Sequence, residues 1–221
     1  MPSKKEVREQ KDKTKKMLMD AALQLIADEG FANLSLRSVA RAGGIAPTSF
    51  YRFFRDVDEL GLELIEEVEV SLREYLTIVR ERADHNRDQT KQETLIEILN
   101  RLARTEISAF MDYLHEHETL FRLFLQERTG SNEILRKAIS KKTQRFIDFI
   151  VHELEFICQK KNFPMNDIPL VAEMVVLNVM HDGIAALDLP EEDKKYEIER
   201  MIKKVRLILA GAYALGKDIL G

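Results

Sequence analysis

The stretch from Ser35 to Leu62 constrains this chain more than any other: S-L-R-S-V-A-R-A-G-G-I-A-P-T-S-F-Y-R-F-F-R-D-V-D-E-L-G-L. Leu36, Val39 and Ala40 fall at i, i+3 and i+4 behind Ser35, a residue suited to cap a helix. Gly43 and Gly44 follow and are expected to supply the positive φ that ends the helix and turns the chain. Pro47 suits a first helical position, where its missing N–H has no intrahelical partner anyway. Phe50 and Phe54, four apart, face inward and leave Thr48, Ser49, Tyr51 and Arg52 outside. Two short helices, a tight turn and an outer face of hydroxyls, Tyr and Arg form a helix-turn-helix, the arrangement that enters a DNA major groove.

The charge distribution agrees with that reading. Residues 1–55 carry eleven Lys and Arg against six Asp and Glu, a surplus of five, whereas the rest of the chain is net −9. A basic head on an acidic body suits a protein that presents one end to a polyanion. Residues 1–16, with seven Lys and Arg and almost nothing apolar, are expected to be mobile. They can track phosphates or reach a minor groove; the alternative is a solvated terminus without a role.

The remainder reads as all-α. Leu18, Ala21, Ala22, Leu25 and Ile26 form an amphipathic helix that Gly30 stops, the first of a three-helix head. Asp56 or Asp58 caps a longer helix, whose stripe of Leu60, Leu64, Val68, Leu72 and Leu76 connects head to body. Further helices are expected from about Thr90 to Tyr113, around F-R-L-F-L-Q-E-R, from Asn132 to about Lys160 with a break at Asn162-Phe163-Pro164, over 168–187 and over 191–219. This gives a head at 1–55 and a helical body at 56–221. The last two helices are apolar over more than one face, with Gly211 and Gly216 permitting close approach, which suggests a two-fold homodimer. No apolar run is expected to reach the roughly 18–20 residues that span a bilayer, so no membrane partner is expected. One cysteine, Cys158, excludes an internal disulfide and suits the cytoplasm.

Catalysis finds no support: no G-x-S-x-G, G-x-G-x-x-G or Walker sequence occurs, and His115 and His117, two apart on a helix, cannot share an ion. Neither a catalytic set nor a metal site nor a cofactor is expected. Phe121, Phe124 and Arg128, with Phe110, Met111, Leu114, Phe146, Phe149 and Ile150 from neighbouring helices, could line an apolar cavity with a cationic mouth. Such a cavity would take a long-chain ligand with an anionic head; periodicity alone favours the other reading, that these are core residues with the arginines on the surface.

The head resembles the TetR family of bacterial transcriptional repressors. The resemblance rests on A-x-x-L-x-x-x-x-G-F, S-L-R-x-V-A-x-x-x-G-I and F-Y-R-x-F occurring in register, and D-V-D-E-L-G-L with F-R-L-F-L-Q-E-R-T-G is similar to the subgroup controlling unsaturated fatty-acid synthesis. It implies a cytoplasmic homodimer that joins through its last two helices, binds palindromic double-stranded operator DNA and holds a hydrophobic effector, long-chain acyl-CoA or a fatty acid, in its body. DNA contacts would then fall on Pro47, Thr48, Ser49, Tyr51 and Arg52, with a backbone contact from Arg37. Phe53 stands where the family often has His, and Val57 where most members carry Lys, a contact that Arg55 would replace. Other readings are a TetR-like regulator of drug efflux with a promiscuous aromatic pocket, and a helical lipid carrier or adaptor that never touches DNA.

Overall fold

A computed structural model describes residues 3–85, 94–161 and 164–218. They form α1 (Lys4–Glu29), a 3-10 turn (Phe31–Asn33), α2 (Leu36–Ala42), α3 (Pro47–Phe50), α4 (Val57–His85), α5 (Leu95–Glu116), α6 (Glu118–Arg128), α7 (Glu133–Lys161), α8 (Ile168–Leu187) and α9 (Glu191–Asp218). Among the described residues there is no strand, and the fold is all-α with an N-terminal helix-turn-helix and a larger helical body. The expected start of α5 at Thr90 and the break at Asn162 and Phe163 lie outside the described residues; α5 is described from its cap at Thr94.

The chain divides into two compact units, 1–68 with 119–140, and 69–118 with 141–221. The expected division at 55/56 falls where the head's motif ends. The first unit takes in more because α4 and α7 both begin inside it. Asn132 caps α7 by accepting from the N–H groups of Ile134 and Leu135 at 3.0 and 3.1 Å, and donates to Asp58 Oδ1 at 2.8 Å. Gly61 lets α4 approach still closer. A Cβ at that position would lie 2.8 Å from Phe31 Cζ and 3.1 Å from Leu135 Cδ2.

Two local expectations are corrected in this unit. The basic N-terminal segment is helical: Ser3 caps α1 in a reciprocal capping box with Glu6, at 2.6 and 3.2 Å. Satisfying two end N–H groups in this way, on a helix already docked through buried Leu18, Ala22 and Ile26, extends α1 without any apolar stripe of its own. Gly43 has φ −79°, so only Gly44, at φ +66°, needs glycine's freedom at this turn. Gly43 is small for a different reason, since a Cβ there would stand 2.7 Å from Leu18 Cδ2.

The second unit holds the C-terminal part of α4 with α5, α8, α9 and most of α7. Gly183 of α8 admits Phe110 of α5, whose Cε1 would lie 2.6 Å from an added Cβ. Asp182 is buried and accepts from Lys204 Nζ at 2.5 Å, tying α8 to α9. Burial alone would push the Asp182 carboxyl up. Hydrogen bonds from Lys204 and His181, with the charges of Lys204 and Arg200, bring it below the usual carboxylate range. By length and composition alone α8, with 20 residues and a mean hydropathy of 1.5, reaches what a membrane span needs, although Glu173, Asn178, His181 and Asp182 interrupt its apolar run. Its most apolar window is half buried within this chain, against helices of the same unit. Gly216 is crowded within this chain, since Pro164 O lies 2.8 Å from where its Cβ would be.

Candidate nucleic-acid interface and effector cavity

The reading face begins with its support. Ser35 and Ser38 cap α2 reciprocally at 3.1 Å, and Val39 and Ala40 are fully buried beneath it. Phe50 and Phe54 stack at 5.4 Å between ring centroids and are also buried, so α3 is anchored by its inner side. Only Pro47–Phe50 are α-helical; the N–H groups of Arg52 and Phe53 reach back three residues, to Ser49 and Phe50, at 3.2 and 2.8 Å. This tightened turn leaves Pro47, Thr48, Tyr51 and Arg52 exposed, Tyr51 to 63%, with Ser49 and Phe53 half-buried. Arg37 is exposed on α2.

Arg55 is also exposed, to 81%, but its charge is shared. Its Nε lies 3.2 Å from Glu59 Oε2, and its backbone N–H donates to the same oxygen at 2.6 Å. That backbone bond, ahead of the guanidinium, holds the Glu59 carboxyl below its usual range against the effect of desolvation. A phosphate at Arg55 therefore competes with a carboxylate. Lys15 is committed too, paired with Glu63 at 2.8 Å and 5.5 Å from the centre of the Phe54 ring.

The sequence did not show where the α1 extension lies. Glu6, Val7, Gln10, Lys11 and Thr14 share a surface groove with Arg52 and Phe53. The first three turns of α1 thus stand beside the face that α3 presents.

In the second unit an apolar cavity of about 110 Å³ lies among α4, α5, α7, α8 and α9. Its walls are Leu76, Leu102, Ala103, Ile107, Phe110, Phe146, Ile150, Leu154, Ile157, Val175, Val176, Val179, Met180, Val205 and Leu209. Of the nine expected lining residues, Phe110, Phe146 and Ile150 are there. Met111 and Leu114 are buried on α5 and approach Gly183 instead, and Phe149 sits against Phe146 with the Arg73 guanidinium 5.8 Å from its ring. Phe121, Phe124 and Arg128 do not line the cavity. They belong to the first unit, where the two rings are buried in the core and Arg128 is exposed.

The polar pole is one that the sequence reading missed. Arg80, 17% exposed, pairs through Nε with Glu106 at 2.7 Å and through Nη1 with Glu153, and all three line the cavity. One cation between two carboxylates leaves this pole net negative, not the cationic mouth expected from the arginines of α6.

Residues 18–64 match the family model described as bacterial regulatory proteins, tetR family. Solved structures similar to this chain include a TetR-family transcriptional regulator from Syntrophomonas wolfei, at 15% identity over 90% of this chain and 96% of that one, with a TM-score of 0.72. The fatty acid degradation regulator FadR from Bacillus halodurans is 18% identical over 90% and 95%, with a TM-score of 0.66. The SmeT–triclosan complex gives 17% identity over 90% of both chains and a TM-score of 0.67. At such identities these likenesses establish a shared fold.

Proposed function

We propose, from the match of residues 18–64 to the family model of bacterial regulatory proteins, tetR family, that this protein is a ligand-responsive repressor of lipid-metabolism genes. It binds palindromic operator DNA as a homodimer, each protomer placing α3 in a major groove, with half-sites about 34 Å apart. The observation that carries the DNA-binding reading is the exposed Thr48, Tyr51 and Arg52 face held rigid from behind by buried Phe50 and Phe54. A lipid carrier has no use for that face. Exposed Leu170 and Met174 on α8, with Leu207, at 74%, and Leu215 on α9, support dimerisation through the last two helices.

The effector we assign is a long-chain acyl-CoA, whose acyl tail enters the cavity of the second unit, and the regulated genes are those of fatty-acid synthesis, unsaturated fatty acids among them. The similar fold of a fatty acid degradation regulator supports a fatty-acid-derived effector. Phe110 and Phe146 are the only aromatic residues in a wall otherwise almost wholly aliphatic, which suits a hydrocarbon chain better than the aromatic compounds of a drug-efflux regulator. Such a ligand acts only if it binds one spacing of the two heads better than another. The test is titration of acyl-CoA of graded length and saturation into the protein–operator complex, followed by gel shift. Release or tightening by one class supports the assignment, and constant DNA affinity across the series removes it.

A further inference from the structure

Asp58, Glu69 and Arg80 recur on α4 at a step of about three helical turns, so all three share one face. Each has its partner on α7. Asn132, the cap of that helix, donates to Asp58 within the first unit, while Lys142 pairs with Glu69 at 3.3 Å, and Glu153 with Arg80, within the second. The partners lie 74, 73 and 73 residues further along the chain. So constant an offset means that α4 and α7 run parallel without slipping, with a polar tie at every third turn. The middle tie is the most demanding. Glu69 and Lys142 are 5% and 6% exposed, and Ile65, Val68 and Leu72 of α4 and Ile139 of α7 are buried beside them in sequence. Arg73 Nε stands 3.2 Å from the other Glu69 oxygen, out of line for a hydrogen bond. Burial of two ions is offset only while they touch, and a slip of one turn, about 5.4 Å, would part them inside the protein. Well-packed apolar residues in place of such a pair are often as stable or more so. Stability therefore does not account for these charges, whereas register does.

We propose that Glu69 and Lys142 are positioning residues for operator binding: they hold α4, which starts at Val57 directly behind the reading turn, in one register against α7, and so restrict the homodimer to one half-site spacing. This rests on the reading of the protein as a homodimer on palindromic DNA. A seam closed by apolar side chains alone would let the two helices slide with little change in buried surface, and neighbouring spacings would then be accepted.

The test selects a palindromic duplex from random sequence with the full-length protein, then moves its half-sites together or apart by one base pair, about 3.4 Å and a tenth of a turn. By gel shift the unaltered protein is expected to bind the selected spacing about tenfold or more tighter than either neighbour. In Glu69→Met/Lys142→Met that ratio should fall to about threefold or less, while urea unfolds the variant no earlier than the parent. In Glu69→Gln/Lys142→Gln, whose amides can still bond across the seam, the ratio should stay within about twofold of the parent's. A Met pair that keeps the ratio, or that unfolds well before the parent, overturns the proposal. A Gln pair as indiscriminate as the Met pair overturns it too, because a directional tie would then hold no register. Unaltered protein that selects no duplex, or binds all three spacings alike, removes the homodimeric operator reading and this inference with it.

Discussion

Gly61 gives the sharpest test of how the first unit is built, because two opposing effects of known size meet there. In a helix interior Gly→Ala is worth about 0.8–1 kcal/mol in favour of folding. At Gly61 the new methyl would lie 2.8 and 3.0 Å from Phe31 Cζ and Cε2 and 3.1 Å from Leu135 Cδ2. Both neighbours are buried, Leu135 completely, so neither can swing into solvent, and overpacking of this kind costs about 1–3 kcal/mol. Overpacking wins: Gly61→Ala should lower stability by up to about 2 kcal/mol. Phe31→Leu removes the ring edge that the methyl meets. In that background the same Gly61→Ala change should be neutral or stabilising, giving a coupling of about 1–3 kcal/mol in the double-mutant cycle. Urea unfolding of the four proteins at one protomer concentration measures it. If Gly61→Ala has the same effect in both backgrounds, close approach is not the reason for glycine at this position.

Four further outcomes are expected. Arg52→Ala should weaken operator binding by about 1–3 kcal/mol and flatten specificity at one base pair if Arg52 reads a base; unchanged binding across operator variants would remove it from the interface. Deleting residues 1–13 should leave the fold intact, because Leu18, Ala22 and Ile26 remain docked, while the slope of log affinity against log salt falls by about 0.9 for each phosphate that the deleted turns neutralise; an equal slope means that the α1 extension does not touch DNA. Lys204→Ala takes the shortest hydrogen bond from the buried Asp182 carboxylate, leaving it His181 and the charge of Arg200, and should cost about 1–3 kcal/mol at neutral pH. Since Asp182 titrates below its unfolded value, its contribution is present above that value and lost as pH falls through the folded one, so the gap between parent and variant in denaturant melts should narrow in acid. Finally, whatever factor an acyl ligand imposes on DNA affinity, operator DNA must impose on ligand affinity; unequal factors in paired titrations would mean that the ligand acts by some route other than a shared conformational equilibrium.

What the sequence revealed, and what it hid, follows from the range of the interactions concerned. The head was legible because its determinants are local. Ser35, Pro47 and the four-residue step from Phe50 to Phe54 each dictate backbone within a few residues, and the structure keeps them as cap, first helical position and buried ring pair. Gly43 misleads because a steric demand imposed from a distance by Leu18 looks, in sequence, the same as a need for positive φ. The helical arm is hidden because its stability is borrowed from downstream docking and from a cap, neither of which leaves an apolar stripe. The aromatic helix α6 attracts attention by composition, yet composition cannot say which of two units a buried face belongs to. The cavity's pole did leave a local signal. The step of four through Leu60, Leu64, Val68, Leu72 and Leu76 lands next on Arg80, and a charge that keeps an apolar register is carried inside, where it must find partners. Glu106 lies between Ala103 and Phe110, and Glu153 between Ile150 and Ile157, on the stripes that face it. A search along apolar stripes for the charge that interrupts them would have led to Arg80, Glu106 and Glu153. A search for arginines among aromatic residues leads away from them.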